Sequence, residues 1–116
     1  MAVLRIEAGP RMSQAVIHDN TVYLAGVVAP NPKPDVKDQT RQIVKQIDKL
    51  LKAAGTNKSK LVSANIWLAD IRGFADMNSV WDAWVVPGKT PARATVEAKL
   101  AGPQYLVEIM VVAAKD

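Results

Sequence analysis

The segment Pro91-Ala92-Arg93-Ala94-Thr95-Val96-Glu97 puts one arginine at the head of an alternating run. Leu106-Val107-Glu108-Ile109-Met110-Val111-Val112 puts one carboxylate inside an otherwise apolar run. A charge in an apolar strand is costly unless it is paired or used. Arginine presents a planar fork of donors that grips a carboxylate bidentately, and a half-buried glutamate beside water accepts or donates a proton. Together the two suit hydrolysis at an activated carbon next to a carboxylate. The competing reading is a structural charge network at a subunit interface, a common fate for such groups.

The elements carrying them read as two strands, about 92–100 and 104–114, joined by a turn at Ala101-Gly102-Pro103. In the first, Ala92, Ala94, Val96, Ala98 and Leu100 alternate with Arg93, Thr95, Glu97 and Lys99. A hairpin between the two would place Glu108 on the face of Arg93, but roughly 7–13 Å along the strand. That is too far for a tight ion pair. The pair would flank a small ligand, or each would meet a group from a neighbouring subunit.

Upstream, Val3 to Glu7 reads as a short edge strand, and 14–18 and 21–28 as a hairpin turning at Asp19-Asn20. Pro30-Asn31-Pro32-Lys33-Pro34 forbids helix. Beyond it, Val36, Thr40, Ile43, Val44, Ile47, Leu50, Leu51 and Ala54 follow helical spacing, with Asp35 as N-cap and Gly55 as stop. Val62, Ala64, Ile66 and Leu68 mark a strand; Phe74, Met77, Asn78, Trp81, Trp84 and Val85 mark a second helix closed by Pro87-Gly88. The order β-β-β-α-β-α-β-β predicts an α+β fold, one sheet with two helices on one face. The last strand is apolar on both sides, so its uncovered face is expected to be buried against other subunits in a closed homo-oligomer.

At 116 residues the chain is expected to be one domain, 1–116. Cysteine is absent, which excludes disulfides and thiol chemistry. His18 is the sole histidine and reads as a surface residue, so no metal site is expected. No phosphate-binding or dinucleotide glycine pattern occurs. The net charge of +4 comes from lysines without a tight cluster; Lys37, Lys45, Lys49, Lys52 and Lys58 lie on or beside the first helix and read as a solvated face. Trp67, Trp81 and Trp84 read as core or interface anchors. Asn78, on the apolar side of the second helix, is expected to bond buried backbone, with a pocket role as the alternative. No apolar run is long enough to span a membrane and the N-terminus does not resemble a secretion signal, so a cytoplasmic protein is expected.

With these residues in view, the chain resembles the Rid family of reactive-intermediate deaminases. The carrying motif is Pro91-Ala92-Arg93-Ala94-Thr95-Val96 with Glu108-Ile109. Gly9-Pro10, Ser13-Gln14-Ala15-Val16, Val22-Tyr23-Leu24-Ala25-Gly26 and Phe74-Ala75-Asp76-Met77-Asn78 support it. The resemblance implies a chorismate-mutase-like fold, a homotrimer with ligand sites between subunits, and hydrolysis of imines and enamines to 2-oxo acids and ammonia without a cofactor. It casts Arg93 as clamp for the substrate carboxylate and Glu108 as the group that activates water. Thr95, Gly26, Arg11 and Asn78 would line or support the pocket. Three positions depart from the family pattern: Arg11 replaces a tyrosine, Ala25 a serine and Thr95 a cysteine. Arg11 would favour a more acidic imino acid or reduce the standard activity. The alternative function is a non-catalytic module binding small carboxylates in the same cleft. A ribonuclease role, sometimes attached to the family, is disfavoured by the lone histidine and scattered lysines, so no nucleic-acid partner is expected.

Overall fold

A computed structural model describes residues 2–116; Met1, the first residue of the expected domain, lies outside the described residues. Six strands and two helices follow the expected order: β1 (Val3–Ala8), β2 (Ser13–His18), β3 (Thr21–Leu24), α1 (Val36–Ala53), β4 (Leu61–Leu68), α2 (Phe74–Trp84), β5 (Ala92–Glu97) and β6 (Val107–Ala114). They form one sheet in the order β1-β2-β3-β6-β4-β5 with both helices on one face, the chorismate-mutase-like α+β arrangement.

Local chemistry explains α1. The Asp35 side chain accepts from the Asp38 amide at 3.2 Å, tying down an otherwise orphan N–H. The helix stops where Gly55 takes φ +84°, a conformation that a side chain resists. Ile43, Ile47, Leu50 and Leu51 are at most 2% exposed, and each such burial stabilises by roughly 1.5–3 kcal/mol. They pack on Ala15, Ile17, Val22, Leu24, Ile66 and Ile109, which face them from the sheet. The turn between β2 and β3 pairs His18 with Thr21 and holds Asp19 at φ +54°, as Asp tolerates.

The C-terminal hairpin does not exist. β4 lies between β5 and β6, pairing parallel with β5 and antiparallel with β6. Consequently Arg93 sits beside Ala64 on the helix face, whereas Glu108 sits opposite Trp67 on the other face. The expectation that they share a face is overturned: the residues between the strands carry the chain past the end of β4 rather than folding β6 back on β5. Three smaller corrections concern strand ends. β5 stops at Glu97 rather than near residue 100, and β6 starts at Val107 rather than near residue 104. β3 stops at Leu24, although Val27 and Ile109 still exchange backbone bonds of 2.8 and 3.0 Å. A bulge between Leu61 and Ser63 pushes Val62 out to 53% exposure and lets Leu61 enter the core in its place.

The sheet's second face bears no helix. β6 keeps Val107, Ile109, Val111 and Ala113 in the core and presents Glu108, Met110, Val112 and Ala114 to the open side. β5 runs the same way: Ala92, Ala94 and Val96 look outward and are exposed, while Arg93 and Thr95 turn toward the helix layer. Tyr23 and Val96, 47% and 49% exposed, extend this apolar surface.

Candidate functional site

Arg93 is positioned by α2. Its Nη1 donates to Oδ1 of Asn78 at 2.8 Å, and its guanidinium carbon lies 5.7 Å from the Phe74 ring centroid and 5.6 Å from that of Trp81. Phe74, Asn78 and Trp81 recur at helical spacing, so one stripe of α2 presents two rings and an amide oxygen to the edge strand. A guanidinium between aromatic faces is held by cation–π attraction without losing its charge. Among the described residues the ion pairs are Lys60–Asp116 and Arg72–Asp70, and the His18 ring lies 3.8 Å from Asp19, so neither Arg93 nor Glu108 has an oppositely charged partner there.

Asn78 bonds a side chain, not the buried backbone that its place in the sequence suggested. Thr95, two residues beyond Arg93 on the same face, buries a hydroxyl that has no hydrogen-bond partner among the described residues. At the far end of this row, Glu97 accepts from the Ile71 amide at 3.0 Å and so anchors the turn leading into α2. In that turn, hydrogen bonds from the Arg72 side chain and amide hold Asp70 at about 2, below the ordinary carboxylate value of 3.8.

Glu108 is built differently. It is half-buried on the open face, and its carboxylate rests against Gly26. A Cβ at Gly26 would fall on Oε2 of Glu108 and 3.1 Å from its Cδ, so a side chain there would push the carboxylate out of its present position. Gly26 also opens on a groove of about 350 Å³ shared with Met12 and Gln14. Arg11 is exposed in the turn between β1 and β2, directly before Met12. The structure thus gathers Arg93, Asn78 and Thr95 on one face, and Glu108 and Gly26 at the other, while Arg11 stays exposed in the turn before β2 and is brought to neither group.

Three contributors were missed in the sequence. Trp81 and Phe74 read there as apolar helix positions, and nothing in their spacing named Arg93 as their partner. Gln39 is fully buried: its Nε2 donates to the Lys33 and Gln104 carbonyls at 2.7 and 3.0 Å, and its Oε1 accepts from the Leu106 amide at 2.9 Å. It fixes the segment that enters β6 just ahead of Glu108. A polar residue four before Ile43, on the buried stripe, was the available signal.

A family model described as Endoribonuclease L-PSP matches residues 3–115. The chain belongs to this family, which includes the Rid and YjgF proteins. Among family members, the RutC family protein YoaB of Escherichia coli (strain K12) is 49% identical over 114 residues, covering 98% of this chain and 99% of that protein. A YjgF-family protein from Neisseria meningitidis superposes with TM-score 0.97 at 41% identity, covering 100% of this chain and 97% of its own. A Yersinia pestis protein of unknown function, described as of the conserved Rid family, superposes with TM-score 0.91 at 32% identity, covering 97% and 99%. No helix among the described residues is long and apolar enough to cross a membrane.

Proposed function

We propose that the protein hydrolyses reactive 2-imino and enamine acids to 2-oxo acids and ammonia, in a site closed between copies of the chain. The observation carrying this reading is the caged, uncompensated guanidinium of Arg93. Two rings and a neutral amide hold it, and no carboxylate neutralises it among the described residues. Its remaining N–H groups are free to take a substrate carboxylate.

Arg93 and Glu108 lie on opposite faces with a strand between them. A substrate touching both therefore needs Arg93 of one subunit and the partner subunit's Glu108. The open face supports such an assembly, because Tyr23, Val96, Met110 and Val112 form an apolar surface around Glu108 that a second copy would cover. The homotrimer implied by the resemblance is the assembly we assign.

In this reading Arg93 fixes the acid group, Asn78 orients Arg93, and Thr95 and Gly26 line the cleft. An enamine first tautomerises to the imine. Water oxygen then bonds to the C=N carbon while Glu108 relays a proton from that water to nitrogen, giving a carbinolamine. As C=O forms, the C–N bond breaks and Glu108 relays the hydroxyl proton to nitrogen, which leaves as ammonia. The imine carbon is already electrophilic, so positioning supplies much of the rate. Arg11, exposed in the turn before β2, would favour substrates with a further acid group if the assembly brings it to the cleft. The test is turnover of freshly generated 2-iminobutyrate. Arg93→Gln is expected to abolish it while leaving the assembly intact, and full turnover in this variant would refute the clamp. Ligand-dependent stabilisation of the wild type without turnover would favour the carboxylate-binding module instead.

A further inference from the structure

The helix layer carries a second concentration of positive charge, separate from Arg93. Lys37 and Arg41 stand one turn apart on α1, and Lys58 comes from the short 3-10 turn before β4. With Ser79, Ala83 and Trp84 they border a groove of about 400 Å³ between the helices. Like charges one turn apart disfavour a helix, so this spacing is not explained by helix stability. None of the three cations pairs with a carboxylate among the described residues. Two carboxylates lie close by and keep their charge: Asp48 accepts from Nε1 of Trp84 at 3.1 Å and Asp38 from Nε2 of Gln42 at 2.8 Å, but neither forms an ion pair with the three cations. Asp76 and Asp82 of α2 are exposed and do not line the groove.

Lys58 is also held in place. It is half-buried, with Nζ 5.5 Å from the centroid of the Trp84 ring. A solvated face accounts for Lys45, Lys49 and Lys52, which are exposed along α1. It does not account for three cations from two elements converging on one concavity.

We propose that this groove binds the phosphate group of a small molecule carrying two or more negative charges, a diphosphate or a phosphate ester. The volume suits a small ligand. Arginine supplies a fork for phosphate oxygens and the lysines supply point charges, while Val80 and Ala83 offer an apolar wall to the remainder. The Arg93 cage uses Phe74, Asn78 and Trp81 on another side of α2, so the two sites are distinct. The groove also lies on the helix layer, and covering the open sheet face leaves it accessible.

Inorganic pyrophosphate is the probe, titrated by calorimetry at about 0.15 M ionic strength and followed in parallel by tryptophan fluorescence, because Lys58 lies over Trp84. Saturable binding is expected in the wild type. Lys37→Gln and Arg41→Gln are each expected to weaken it about tenfold, ~1.4 kcal/mol, and Arg93→Gln to leave it unchanged. Both substituted groove positions are exposed, and thermal melts establish that the variants fold. Absence of saturable binding, equal binding by the groove variants, or loss of binding in Arg93→Gln would each overturn the proposal. So would groove-dependent binding of a single-stranded RNA oligomer in place of pyrophosphate, which would make the groove a nucleic-acid surface.

Discussion

Asn78→Asp tests the clamp by quenching its charge without changing its shape. The Asn78 amide oxygen already accepts from Arg93 at 2.8 Å, so a carboxylate of the same size drops into place as an ion-pair partner. With charge centres about 4 Å apart and an effective dielectric near 20, the attraction is roughly 4 kcal/mol. Arg93 is half-buried, so solvent screens part of it, leaving about 1.5–3 kcal/mol. A ligand carboxylate must now compete with an internal one, and each 1.4 kcal/mol is tenfold in affinity, so binding of a 2-oxo acid is expected to weaken about 10–100-fold. The fold should be as stable as before or slightly more so. Calorimetric titration with 2-oxobutyrate reads the affinity, and kinetics on freshly generated 2-iminobutyrate read KM against kcat, with the loss expected mainly in KM. Asn78→Leu is the control: it removes the hydrogen bond without adding charge and should cost less. Undiminished binding by Asn78→Asp would mean that Arg93 does not hold the acid group through its charge.

Two further substitutions separate chemistry from scaffold. Glu108→Gln keeps the size of the side chain and removes its basicity; turnover should fall by about 10²-fold or more while 2-oxobutyrate still binds, and an unchanged kcat would remove Glu108 from the proton relay. Gln39→Leu leaves the Leu106 amide and the Gln104 carbonyl without their partner, while the Lys33 carbonyl keeps the Asp35 amide. Urea unfolding should show a loss of about 2–6 kcal/mol at roughly 1–3 kcal/mol per unsatisfied group, and a loss below 1 kcal/mol would mean that water replaces the amide.

Where the signals are local, sequence and structure agree. The α1 stripe needs only 3.6-residue spacing, one carboxylate cap and one glycine, all within 21 consecutive positions from Asp35 to Gly55. The β2–β3 hairpin needs only a two-residue turn between alternating runs. β5 and β6 look like a second such hairpin, and here locality misleads. Alternation tells which residues share a side of a strand, but not which side meets the helices. In β5 the apolar row faces outward and the polar row inward, the reverse of a strand whose open face meets water. That inversion is a further sign that a partner covers the open face in the assembly proposed above.

Arg93, Glu108, Asn78 and Gly26 were identifiable as residue types out of keeping with their surroundings, and the family resemblance singled them out as candidates. Their geometry was not contained in the order of residues. β4 lies next to β6 because its buried row, Ala64, Ile66 and Leu68, faces the helices beside Val111, Ile109 and Val107. Placing β4 there sends β5 to the edge, brings Arg93 under α2 and leaves Glu108 on the far face. The residues themselves determined the elements and the chemistry available. Only packing of one apolar row against another, between strands distant along the chain, decided that the two charges face apart.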